Sequence, residues 1–123
     1  MRLCHALAAI ALSAAIAAPA NAAMTVGAFL ARAEPLRANP LIALMSPDYP
    51  VLKAEADAAT RALRADAAQR KAAGKKPIAC MPEGEKLGIT DMLDGLDELS
   101  PKEKRLPLKD GYARVLAKTF PCR

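Results

Sequence analysis

The chain reads as an all-α protein, a small helical bundle of four to five helices with one disulfide. Three observations predict it. Apolar residues recur at three- and four-residue spacing wherever a pattern is sustained, and no strict alternation runs longer than a few residues. Ser, Thr, Pro and Gly stand where helices begin and end. Of the three cysteines, two remain once an export leader is removed, and an even count in an oxidising compartment implies one bridge, Cys80 to Cys122.

The leader is read over residues 1–22. Met1-Arg2 supplies one positive charge, Leu3 to Pro19 is uncharged and Ala-, Leu- and Ile-rich, and Ala20-Asn21-Ala22 places small side chains where a signal peptidase reads, so cleavage is expected before Ala23. The apolar run is short and Ala-rich for a permanent span of a ~20-residue bilayer core. Cys4 precedes the run, whereas a lipoprotein needs its cysteine at the end of it. Cys4 is therefore discarded together with His5, the only histidine. No second long apolar stretch follows, so no stable membrane span is expected after cleavage.

In residues 23–123, Thr25 caps a first helix over about 26–34, with Val26, Phe29, Leu30 and Ala33 on one face. Pro35 ends or kinks it, and Asn39-Pro40 is a second break. Leu41 to Met45 is too short to stand alone and reads as a helical turn packed on the core. Ser46-Pro47-Asp48 then offers an N-cap, a proline at the first helical position and an acid in the first turn. The helix it starts runs to Ala73, with Gly74 as its stop. Its apolar stripe is Leu52, Ala56, Ala59, Leu63 and Ala67, narrow enough for close packing of a neighbouring helix; the same stripe would serve a seam in a homodimer.

Lys75 to Lys86 is a Pro- and Gly-rich loop containing Cys80. Ile89, Met92, Leu93, Leu96 and Leu99 mark an amphipathic helix with Asp91, Asp94, Asp97 and Glu98 outside. Ser100 and Glu103 have the spacing of a capping box. Pro107 opens a last helix carrying Leu108, Tyr112, Val115, Leu116 and Phe120, which Pro121 breaks at Cys122. A hairpin through residues 100–107 returns Cys122 to Cys80.

Residues 23–123 suffice for a single domain with a modest core. Two Phe, two Tyr and no Trp leave that core to aliphatic side chains and alanine. The net charge is +5 with 18 basic against 13 acidic side chains, and falls to +4 without Arg2. Basic residues dominate 53–76, acidic ones 83–98 and basic ones 102–123, an order that favours pairing between segments. Nucleic acid is a poor partner for an exported chain with almost no stacking residues.

Catalysis is not expected. Loss of His5 removes the usual general base and every Ser-His or Cys-His arrangement, and both remaining cysteines are committed to the bridge. The pairs Asp94–Glu98 and Asp91–Asp94 share a helix face but lack the aromatic sugar contacts that glycosidic chemistry requires. Asp91, Asp94 and Asp97 sit in a helical pattern with no turned loop to converge them on a metal, and Gly84, Gly88 and Gly95 are too scattered to cradle phosphate. No cofactor and no metal are expected. What survives is a binding or structural role.

Cys80-Met81-Pro82-Glu83-Gly84, then Leu87-Gly88, an amphipathic helix, the Leu99-Ser100-Pro101 turn and a last helix ending Phe120-Pro121-Cys122, resemble the C-terminal half of the type VI amidase immunity family, the Tai or Rap immunity proteins. The resemblance covers residues 80–122. It implies a small periplasmic protein that binds and blocks a peptidoglycan amidase delivered by type VI secretion, with Met81, Pro82, Glu83 and Gly84 as candidate binding residues. The N-terminal half departs from the pattern: many members carry there a Cys and a Gly-Tyr-Ile-like segment, and this chain has an Ala-, Lys- and Arg-rich helix. The alternative from a different class is a structural or envelope-stress protein that binds cell-wall or membrane components.

Overall fold

The computed structural model describes residues 23–123; the leader assigned to residues 1–22 lies outside the described residues. The described chain is all-α, as expected. Its elements are α1 (Val26–Ala38), α2 (Pro40–Ala43), α3 (Asp48–Ala72), α4 (Ile89–Asp97), a 3-10 turn (Glu103–Arg105) and α5 (Leu108–Thr119). Helix α1 touches every other element, and α5 packs on α1, α3 and α4.

Local chemistry sets most boundaries. The Thr25 hydroxyl accepts from the Ala28 N–H at 3.2 Å, the N-cap expected of it. The Ser46 hydroxyl accepts from the Asp48 N–H at 3.2 Å, and Pro47 already has helical angles. Helix α3 closes with paired bonds, Lys75 N–H to Arg70 carbonyl at 2.8 Å and Gly74 N–H to Lys71 carbonyl at 3.1 Å. This is a Schellman ending, and it needs the left-handed backbone that Gly74 supplies at φ 68°. The capping box forms in both directions, Glu103 N–H to Ser100 Oγ and Ser100 N–H to Glu103 Oε1, each at 3.2 Å.

The core gathers Val26, Phe29, Leu30 and Ala33 from α1, Leu52 and Ala59 from α3, Leu96 from α4, and Leu108, Tyr112 and Val115 from α5. Two glycines let the helices meet. A Cβ on Gly111 would collide with Val26 Cγ2 and stand 3.1 Å from Leu96 Cδ2, and one on Gly95 would meet Val115 Cγ1 at 2.5 Å. An extended pairing ties the start of α1 to the start of α5: Val26 N–H bonds to the Leu106 carbonyl at 3.0 Å and Leu108 N–H to the Met24 carbonyl at 2.9 Å. This bridge between Thr25 and Pro107 has no signature in the sequence.

Four expectations are corrected. Helix α1, expected over about residues 26–34, does not end at Pro35, the first of the two alternatives there, but runs through it to Ala38. A proline within a helix costs about 3 kcal/mol, and here Leu36 packs on the core while Arg37 is held by α4, contacts that offset the lost bond. The turn after Asn39 does not pack on the core: Leu41, Ile42, Leu44 and Met45 all face solvent, because the Asn39-Pro40 break carries α2 outward and α1 is its main support. Ile89 stands exposed at the first position of α4, ahead of the turn that reaches the core. The alanine stripe of α3 stops at Leu63, and Ala67 is exposed, since α3 runs on past the elements that cover its first half.

Candidate functional site

Cys80 and Cys122 are disulfide-bonded, with Cα atoms 4.9 Å apart. The Cys80 N–H also bonds to the Phe120 carbonyl at 2.8 Å, so backbone and sulfur anchor the loop at the same place. Both cysteines are exposed. The loop between α3 and α4 is thus fixed at one end by the Schellman turn and near its middle by the bridge.

Met81, Pro82, Glu83 and Gly84 follow the bridge directly, and all four are exposed. Glu85 N–H bonds to the Pro82 carbonyl at 3.1 Å, and Gly84 takes φ 83°. A positive φ at the third position is the mark of a type II turn, which favours glycine there. Ile78 and Met81 stand on either side of the anchor, each about two-fifths exposed. The structure therefore brings the four sequence-predicted residues together as the tip of an anchored loop with apolar shoulders.

The acidic residues of α4 go elsewhere. Asp94 and Asp97 converge on the Arg37 guanidinium at 2.8 and 2.6 Å, clamping α4 to the last turn of α1. These contacts, the Asp97 bond first, hold the Arg37 pKa above its ordinary value. Glu98 pairs with Lys118 at 3.2 Å. Among the described residues no group of three or more His, Cys, Asp or Glu side chains could hold a metal ion, and no helix is long and apolar enough to cross a membrane.

A second feature was not anticipated. Between α1, α2, α3 and the start of α4 lies an open groove of about 610 Å³, floored by Phe29, Ala33, Leu52 and Ala56 and rimmed by Tyr49 and Ile89. Its charged neighbours are paired: Arg37 as above, and Lys53 with Asp57 at 2.8 Å. The Lys53 hydrogen bond lowers the Asp57 pKa and raises that of Lys53. The groove's outer wall is α2, whose exposed side chains extend the apolar surface beyond it. The only sequence signal was the apolar run Leu41 to Met45, read as core.

Fold and surface together define a small, disulfide-closed, all-α structure with an exposed anchored loop and an exposed apolar groove. The chain matches no protein-family model, no curated protein and no solved structure.

Proposed function

We propose that this is an exported, non-catalytic immunity or inhibitor protein of the periplasm that neutralises a type VI secreted peptidoglycan amidase. The observation that supports this reading is the anchored loop. A loop held rigid by a disulfide, a backbone bond and a glycine turn loses little conformational entropy when it enters a partner's cleft, which is how a small surface reaches useful affinity. Met81 and Ile78 supply apolar contact, while Glu83 sets the polarity of the tip. The partner class is what the resemblance of residues 80–122 to the immunity family implies.

The test couples capture with protection. Tagged protein should retain a peptidoglycan amidase encoded beside its own reading frame, and cells expressing that amidase in the periplasm should survive only when this protein is present. Met81→Asp together with Glu83→Lys should abolish protection without changing the melting temperature, since neither side chain contributes to the core. If the amidase kills equally with and without this protein, the reading is wrong.

A further inference from the structure

Four large apolar side chains in five consecutive positions are left in water: Leu41 at 89% exposure, Ile42 at 59%, Leu44 at 72% and Met45 at 85%, with Ile89 at 75% across the groove. Together these five leave several hundred Å² open, at or above the roughly 300–600 Å² of the largest patch on a typical monomer. With the groove beside them they offer surface on the scale of the roughly 800 Å² per partner of a standard protein interface.

The patch has a shape. Pro40 and Ala43 line the groove, so they share the inner face of α2. Leu41 on α2, with Leu44 and Met45 in the turn that follows it, forms the adjoining outer ridge. A ridge thus stands beside a groove of similar chemistry on one side of the molecule. A two-fold axis needs such a surface, because in an isologous contact each copy presents both halves of the fit.

Charge points the same way. The ionised groups that line the groove, Arg37, Lys53 and Asp57, are already paired within the chain. Every cation at the rim is therefore already matched by at least one carboxylate of its own chain. With its cations already matched by carboxylates, the rim gives an anionic lipid surface nothing to recognise, and a membrane is the less favoured occupant.

We propose that a second copy of this chain covers the groove, the α2 ridge of each protomer lying in the groove of the other. The contact is independent of the amidase reading and forms without any toxin present. It leaves the loop at Met81 to Gly84 outside the interface, since none of those residues lines the groove. The protomers carry net positive charge, so their mutual repulsion is relieved by salt, and the dimer tightens as ionic strength rises.

Sedimentation equilibrium of the processed protein over a concentration series tests this, alongside Leu44→Glu, Ile89→Lys and their mixture. The wild type should dimerise. Each single variant should weaken the dimer about tenfold or more while keeping its helical circular-dichroism spectrum. The mixture should recover a heterodimer, because Glu at position 44 of one protomer faces Lys at position 89 of the other. A wild type that stays monomeric at every concentration overturns the proposal. So does a dimer unaffected by either variant, or a monomer that instead binds vesicles of zwitterionic phospholipid through the same side chains.

Discussion

The hairpin of α4 and α5 and the turn of α2 are built from the same kinds of side chain, and they end in opposite environments. Leu96 and Leu108 are essentially inaccessible to solvent, whereas Leu41 and Met45 are almost fully open. The difference is the covering element. Helix α4 lies against α5 across Gly95 and Gly111, where the absent Cβ atoms admit Val115, Val26 and Leu96. Helix α2 is supported mainly by α1, and its outer side chains face solvent. Apolar residues in the hairpin stabilise the fold, and those of α2 are available for association.

The sharpest way to break this comparison is to truncate one leucine from each region. Leu96→Ala should destabilise the protein by about 2–5 kcal/mol in urea unfolding, the range for a fully buried leucine that leaves a cavity. Equal losses from Leu96→Ala and Leu44→Ala would erase the distinction.

Removing the bridge comes next. The disulfide spans 42 positions, and releasing that closure should cost about 2–4 kcal/mol and lower the melting temperature by several degrees. Cys80→Ala, Cys122→Ala and the double variant should lose similar amounts, because either single change breaks the same bond. Thiol titration of the folded protein should find neither cysteine free.

A smaller effect comes from Tyr112 at the α3–α5 contact. Burial first, and the Asp57 carboxylate second, push its pKa up to about 12. The folded state therefore holds the phenolic proton more tightly than the unfolded chain, whose value lies near 10. The stabilisation is complete below pH 10 and is lost as pH rises toward 12. Ultraviolet titration of the Tyr49→Phe variant, which leaves Tyr112 as the only tyrosine, should show a midpoint near 12 when folded and near 10 in denaturant. The smallest effect is Leu44→Ala, which should change monomer stability by no more than about 0.5 kcal/mol, as for a surface position away from structural features.

How much the sequence disclosed follows the range of the interaction. The Thr25 cap, the Gly74 stop and the Ser100–Glu103 box act over a few residues, and each was legible from residue type and spacing. The Cys80–Cys122 pairing was legible because residues 23–123 hold only those two cysteines. The Arg37 clamp was not, since its partners Asp94 and Asp97 lie 57 and 60 positions away and nothing local distinguishes Arg37 from other surface arginines. The same reason hid the continuation of α1 through Pro35, which local chemistry opposes and distant contacts support. Leu41 to Met45 failed in the other direction: hydrophobicity marks a segment that wants cover but does not say whether its own chain provides it. For the loop of Met81 to Gly84, motif order marks the residues, whereas their anchoring and shared exposure depend on the Cys80–Cys122 bridge and the Cys80–Phe120 backbone bond.

Hydrogen–deuterium exchange, followed by mass spectrometry at protein concentrations below and above self-association, compares the two regions in one experiment. Amides of α5 should be protected at every concentration, because they open only when the hairpin unfolds. Amides of residues 41–45 should exchange rapidly in dilute protein and become protected as concentration rises. Protection of residues 41–45 that is as strong in dilute protein as in concentrated protein would contradict the account, and so would a hairpin that exchanges before α2 does.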